Sequence, residues 1–496
     1  MIVAGVDSST QSCTVNLFDA DSGALLAEGR EAHPPTAPPR SEHNPADWWF
    51  ALGSALNKAC DNAGVKPSEI AAVSVAAQYS GLVVLDAAGA VVRPVKLWND
   101  TTSAADAERL IAELGSETWL QQIGCLPTAA QSVSKLAGLR RSDPSDYDRS
   151  YRFCSPADWL TYRLTGHLTT DPANASGTGF FEIASGRWSD RILRHVDADR
   201  DWAQSLPTIL VPGDIVGAAS TEAAESVGLS KDTIVSLGTG DQGAAALALG
   251  ISDGDIAISL GTSGTVYGYM SQPPIDRRHA LTITSNALGG YLPIAVLLNA
   301  AKVTDTFARL LGVTHDQFTE LALSADTRDP LRPILAAFLD GERSPNLPHA
   351  RGLLAGISSA IDRPQFALSA VEGVALGLLE GYESLLAAGF QDSGRLYVTG
   401  GASRSRAYRA AMARFFRRDI WTPRNMIGSD SARGAAIQAV AALREVSVRD
   451  VVVEWKPDDE LVAEKPIQDE AISDHVRERY RTIATYRGAD VDAETN

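Results

Sequence analysis

The sequence reads as a layered α/β protein built from two similar halves. Apolar strand-like runs alternate with amphipathic helical stretches along its 496 residues, with glycine spread throughout. A hairpin with a small polar tip occurs at the start of the chain and again half a chain later, as a duplicated architecture requires. At about 150 residues per domain the length allows roughly three units, which two large domains also satisfy. The division read from the sequence is 1–246, 247–448 and a charged, weakly patterned tail from 449 to 496.

The elements follow in chain order. Residues 2–6 and 13–18 form two strands around the turn Asp7-Ser8-Ser9-Thr10-Gln11-Ser12, and residues 255–260 and 265–269 repeat the pattern around Gly261-Thr262-Ser263-Gly264. Further strands are expected at Ala71–Ala76, Thr233–Leu237 and Arg395–Thr399, each followed by glycine or small polar residues, where α/β proteins place their sites. Phe366, Val371, Leu376, Leu379, Tyr382 and Leu386 make an apolar helix face over Gln365–Ala388 that ends before Gly389. Gly434-Ala435-Ala436 predicts close helix packing, and a short helix is expected over Ala471–Tyr486.

Composition removes several classes of function. The net charge of −17 argues against general affinity for nucleic acid or anionic membranes, and no apolar stretch approaches the roughly 20 residues that span a bilayer. No basic-then-apolar segment opens the chain, so a cytoplasmic protein is expected. The four cysteines lie far apart with no C-x-x-C pair, and no two histidines stand four residues apart, so no structural transition metal is expected.

Three turns carry chemistry. Asp7 with Ser9 and Thr10 concentrates a carboxylate, hydroxyls and backbone N–H groups; the hydroxyls and amides suit phosphate, and Asp7 suits Mg²⁺ or its waters. An ordinary polar turn would explain one such hairpin, but its recurrence at Thr262 and Ser263 argues for function. Gly238-Thr239-Gly240-Asp241-Gln242-Gly243 satisfies the dinucleotide G-x-G-x-x-G pattern after a strand, yet Asp241 would set a negative charge against the pyrophosphate. A carboxylate there suits a general base aligning an alcohol for attack on phosphorus; the alternative is an Asp capping the next helix. In the third turn, Gly400-Gly401-Ala402-Ser403-Arg404-Ser405, glycines would let a flat base or ribose approach the backbone. None of the eight lysines follows a glycine, so no Walker A loop exists, and the protein-kinase signatures are also missing.

These turns together resemble the FGGY carbohydrate kinases over roughly residues 2 to 445. The most specific piece is Gly352-Leu353-Leu354-Ala355-Gly356-Ile357, followed after seven residues by Gln365-Phe366-Ala367-Leu368-Ser369-Ala370-Val371-Glu372. Gly341 to Pro345, Leu97-Trp98-Asn99-Asp100 and Asp171 to Gly177 are also similar to the family. The resemblance implies two actin-like (ribonuclease H-like) ATPase domains closing on a cleft, sugar bound by the first and ATP by the second. It implies Asp241 as the base and Asp7 attending Mg²⁺, directly or through water, and the phosphates. Gln78, Tyr79, Trp98, Asn99, Asp100 and Gln242 would line the sugar site, with Gly261, Thr262, Ser263, Gly400, Gly401, Ala402 and Ser405 toward ATP.

The chain departs from the family pattern where the sugar would sit. Ser80, before Gly81, stands in the place of a usual histidine, and Thr102 replaces an arginine common after Trp-Asn-Asp; Gly138 replaces a tryptophan of the first signature. The expected acceptor is a ketopentose, D-xylulose first, with ribulose, gluconate or glycerol kinases as alternatives within the class. From another class, an actin-like nucleotide switch would hydrolyse ATP without sugar. A homodimer stays open.

Overall fold

The computed structural model describes residues 1–36, 39–278, 280–345, 347, 350–424, 429–465 and 470–485. The chain divides into two compact units: Met1–Gly250 with Ile283–Leu292 and Asn425–Pro457, and Ile251–Thr282 with Pro293–Arg424 and Asp458–Asn496.

The first unit is organised on its N-terminal hairpin. Ile2–Ser8 and Ser12–Asp19 pair antiparallel, with Asp7 opposite Thr14, and Leu25–Ala32 continues the meander. On its other side Ile2–Ser8 runs parallel to Ile70–Ala77, which in turn carries Ile234–Ser236 and Thr239–Gly240 in parallel, with Ile215–Ala218 at the far edge. Ile2–Ser8 is apolar and almost entirely buried, as a strand covered on both faces must be. One cover is the helix Pro45–Ala63, whose Trp48, Leu52 and Leu56 join Val6, Val15 and Val75 in one core. Asn44 caps it by accepting from Ala46 N, Pro45 supplies a fixed φ in the first turn, and Gly64 ends it at φ 70°.

The opposite cover is the helix Asp430–Arg444, far away in sequence. A Cβ on Gly5 would lie 1.8 Å from Ala432 O, and one on Gly434 would lie 1.8 Å from Ala244 O. The small-residue stretch is thus a three-way backbone contact among this helix, the first strand and the helix Asp241–Leu249. Phe18, Ile437, Val440, Val451 and Trp455 close the core on that side. The compact units divide the chain elsewhere than at 246 and 448, in that Asn425–Pro457 clusters with the N-terminal part, where Ala432 meets Gly5 and Gly434 meets Ala244.

The second unit repeats the local plan. Ile256–Leu260 and Gly264–Gly268 form an antiparallel hairpin, and Ile256–Leu260 runs parallel to Leu396–Thr399, as Ile2–Ser8 does to Ile70–Ala77. Tyr291–Leu297 extends one side, and Ile420–Pro423 and Asp459–Ala463 the other. The helix Arg363–Ala387, capped by Asp362 accepting from Gln365 N, is apolar around most of its circumference and correspondingly buried. The charged tail is not one element. Val448–Trp455 buries Val451 and Trp455 in the first unit, whereas the helix Glu470–Ala484 packs Val476 and Tyr480 into the second, with Arg481 Nε 3.0 Å from Glu380. Tyr486, the expected end of that helix, lies outside the described residues.

Candidate active site

In the first unit the two acidic residues singled out from the sequence stand at strand ends, and the charge of Asp7 acts on Asp241. Asp7 is the penultimate residue of its strand, paired with Thr14 on one side and Ala76 on the other, so its backbone is fixed on both edges. Its Oδ1 accepts from Ser9 Oγ at 2.5 Å and its Oδ2 from Ser429 Oγ at 2.7 Å. Burial raises its carboxyl above the ordinary carboxylate range, and the Ser9 and Ser429 hydrogen bonds and Arg30 pull partly against that.

Asp241 opens the helix Asp241–Leu249 immediately after the two-residue strand Thr239–Gly240. The N-cap is Gly240, without a side-chain bond, while Asp241 Oδ1 accepts from Gln242 N at 2.8 Å, so helix capping is not the carboxylate's main occupation. Its carbonyl accepts from Ser431 Oγ at 3.0 Å. Asp241 keeps partial access to solvent, yet protein crowds its carboxyl. That burial first, and the negative charge of Asp7 second, push it up to about 7.

The residues expected to meet a sugar divide into two groups. Trp98 Nε1 donates to Thr10 Oγ1 at 2.8 Å and Thr10 Oγ1 donates to Gln78 Oε1 at 3.3 Å, so the hairpin turn, the end of Ile70–Ala77 and the 97–100 loop are joined. Gln78 Nε2 and Asn99 Oδ1 are buried without a protein partner. Gln242 stands half-buried beside Asp241, and the ring of Tyr79 lies against Gly240, where a Cβ would meet it at 2.0 Å. Asp100 behaves differently. It is 1% exposed, and its carboxylate accepts from Ser41 N at 2.8 Å, Thr102 N at 3.0 Å and Thr102 Oγ1 at 2.5 Å. Its oxygens are spent on holding the 39–41 loop, because Thr102 offers two donors where they point.

Ser80, in the place of the expected histidine, has φ 65°; its hydroxyl donates to Gly177 O at 2.8 Å and its carbonyl accepts from Lys135 Nζ at 2.5 Å. Ser132 and Lys135 thus serve to fix this turn. Sequence reasoning missed Ser429 and Ser431, whose approach to Asp7 and Asp241 has no local signal. It also missed His33, which donates from Nδ1 to Ser9 O at 3.0 Å; burial first, and His43 second, hold its imidazole down at about 4, so it stays neutral beside the hydroxyl turn.

In the second unit a cavity of about 1320 Å³ opens at the ends of Ile256–Leu260 and Leu396–Thr399. Gly261, Thr262, Gly401, Ala402 and Ser405 line it, together with Tyr408, Arg363 and residues of the helix His315–Ser324. Ser405 Oγ lies 3.0 Å from Thr319 Oγ1 on that helix. Ser263 and Gly400 are not on the wall. Ser263 O closes the hairpin turn by accepting from Gly261 N at 3.0 Å, and Gly400, at φ 84°, lies where a Cβ would come 2.6 Å from Leu260 O. Among the described residues no three His, Cys, Asp or Glu side chains converge on one point, and no helix is long and apolar enough to cross a membrane.

Known proteins fall in line with this geometry. Residues 2–248 match the N-terminal domain of the FGGY family of carbohydrate kinases and residues 256–443 its C-terminal domain. The chain is 37% identical over 457 residues to the xylulose kinase of Streptomyces coelicolor, covering 92% of this chain and 90% of the relative. It is 36% identical over 477 residues to that of Streptomyces rubiginosus, covering 96% and 95%. Among solved structures, xylulose kinase from Bifidobacterium adolescentis superposes with a TM-score of 0.80 at 28% identity over 97% of this chain and 99% of that one. Gluconate kinase from Lactobacillus acidophilus, at 20% identity and a TM-score of 0.90 over 99% of both chains, shares the fold. With both family domains matched in order over most of its length, the chain belongs to the FGGY family of carbohydrate kinases.

Proposed function

We propose that this enzyme transfers the γ-phosphoryl group of ATP to a primary hydroxyl of a ketopentose, D-xylulose giving D-xylulose 5-phosphate. The observation that carries the proposal is Asp241: a half-buried carboxylate on a glycine turn, pushed up to about 7, can take a hydroxyl proton near neutral pH. The first unit would hold the sugar, with Gln78, Tyr79, Trp98, Asn99 and Gln242 around it. The second would hold ATP along Gly261, Thr262, Gly401, Ala402 and Ser405. Asp100 takes the supporting part of holding the loop that presents Trp98 and Asn99.

Ser9, Thr10 and the amides of their turn offer hydrogen bonds to phosphate oxygens, and neutral His33 leaves that turn without a competing charge. The donor set also suits Mg²⁺, which is commonly held by one or two carboxylates, with phosphate and water supplying the rest. Asp7, with Asp241 as its like-charged neighbour, would hold the ion. Bound there, it would neutralise charge on the phosphates. Because phosphoryl transfer is largely loose, most of the acceleration comes from in-line positioning and charge neutralisation, and the base adds about 10²- to 10⁴-fold.

The test is ADP release, measured against D-xylulose, D-ribulose, gluconate and glycerol. D-xylulose should give the highest kcat/KM, and Asp241→Asn should bind both substrates while losing nearly all turnover. Preference for another polyol would keep the chemistry and change the substrate, an outcome that Ser80 and Thr102 favour by removing an imidazole and a guanidinium from the sugar side. ATP hydrolysis indifferent to every sugar would overturn the proposal.

A further inference from the structure

The segment that carries Asp241 is short on backbone support. Thr239–Gly240 is a two-residue strand, in register with Ala76 and Ala77 on one side only. Yet a base must be held to within a fraction of an ångström to act.

Two side chains supply the missing restraint. The ring of Tyr79 occupies the space where Gly240 would carry a Cβ. The preceding residue is tied by its side chain: Thr239 Oγ1 donates to Asp171 Oδ2 at 2.7 Å. Asp171 is 0% exposed and is itself anchored, its Oδ1 accepting from Asn174 N at 2.9 Å and its Oδ2 from Ala173 N at 3.3 Å, as the cap of the turn Pro172–Ser176. The Tyr79 hydroxyl and Thr239 Oγ1 both come close to Gly243, where a Cβ would meet them at 3.0 and 3.2 Å. A buried carboxylate is costly unless its bonds do work, and a five-residue turn could be capped by a serine at less cost. The bond that a serine would not reproduce is the third, to Thr239.

We infer that Asp171 is a positioning residue for the base, acting through the Thr239 hydroxyl, which sets where Asp241 points. The inference rests on the reading of Asp241 as the base. Asp171 touches no reacting atom; it fixes the residue two before the one that does.

The experiment is a double-mutant cycle at positions 239 and 241, with Asp171 as a third arm. Thr239→Val keeps the shape and removes the hydroxyl, and should lower kcat by about 10- to 30-fold with both KM values changed less than twofold. Thr239→Ser restores the donor and should recover kcat to within about threefold. Asp171→Asn, which keeps an acceptor and the cap, should fall between the two. The discriminating reading is Thr239→Val placed in Asp241→Asn: if the tether works through the base, it costs little more there, so the two losses are far from multiplicative. A full extra 10-fold loss in that background, or wild-type kcat in Thr239→Val, overturns the inference. Near-normal turnover of Asp241→Asn alone would instead sink the base assignment, whatever position 239 does. Thermal unfolding of each variant separates loss of fold from loss of aim.

Discussion

Ser429 donates its hydroxyl hydrogen to Oδ2 of Asp7 over 2.7 Å, joining the N-terminus of a helix to a strand end 422 residues earlier in the chain. The same oxygen accepts from Ala432 N at 3.2 Å, so one hydroxyl both caps the helix Asp430–Arg444 and steadies the carboxylate. Two residues on, Ser431 Oγ holds Asp241 O. The first turn of this helix therefore touches both acidic residues of the site, and the fit of Gly434 against Ala244 and of Gly5 against Ala432 leaves it little room to shift.

Replacing that hydroxyl should act on stability and rate together. Ser429→Ala removes a helix cap and should cost about 1 kcal/mol in urea unfolding. It also frees one oxygen of Asp7, and kcat should fall by about tenfold. Ser429→Thr keeps the hydroxyl and should restore most of both. A Ser429→Ala enzyme with wild-type kcat would mean that Asp7 is held well enough by Ser9 alone.

The acid limb of the rate profile should belong to Asp241. A base works deprotonated, so kcat/KM for the sugar should rise with pH and level off above about 7, where that carboxyl titrates. Part of its upward shift comes from the negative charge of Asp7. Asp7→Asn should therefore slow the enzyme and also move the limb to lower pH. A limb that stays in place in Asp7→Asn would assign it to another group.

How much of this was legible before the structure differs by residue. Both hairpins were, because a small polar turn between apolar runs is a local signal, and so were Asp7 and Asp241, since carboxylates at strand ends demand an explanation. Ser429 was not. Its role as a cap can be read nearby, but its second partner depends on a helix folding back over the N-terminal sheet, and only the fit of Gly434 and Ala436 against distant backbone decides that. Asp100 misled for a related reason. A motif fixes residue types, while the direction of a carboxylate follows from the nearest unpaired N–H groups, here Ser41 and Thr102. The tail misled because charge content hides Val451, Trp455 and Tyr480, few in number but well spaced to bury.

Buried carboxyls behind the site should make stability fall as pH rises. Burial lifts Asp158 from 3.8 to about 7 and Asp171 from 3.8 to about 6. With folded values above the unfolded ones, their contribution is fully present below pH 3.8 and is lost as pH climbs through 6 to 7. The slope is about 1.4 kcal/mol per pH unit for each group while it titrates. Asp158→Asn, neutral throughout and still able to accept from Ser155 N, should flatten that slope, gaining on the natural chain at pH 8 but not at pH 4. Urea unfolding at several pH values checks it, and parallel curves for the two proteins would refute it.

The adjacent glycines of the second unit separate packing from ligand contact. Gly400 has φ 84° and Leu260 backbone in the place of a Cβ, whereas a Cβ on Gly401 would meet nothing within 4 Å and would stand at the cavity wall. Gly400→Ala should therefore destabilise the fold by about 2 to 3 kcal/mol through strain and overlap. Gly401→Ala should unfold at the same urea concentration as the natural chain, so any effect must come from the space it takes in the cavity. If ATP lies along that wall, its KM should rise at least about fivefold while the KM for the sugar stays put, because a methyl group on the wall displaces the nucleotide alone. Steady-state kinetics with each substrate varied in turn decide it: an unchanged KM for ATP in a stable Gly401→Ala enzyme would place the nucleotide elsewhere.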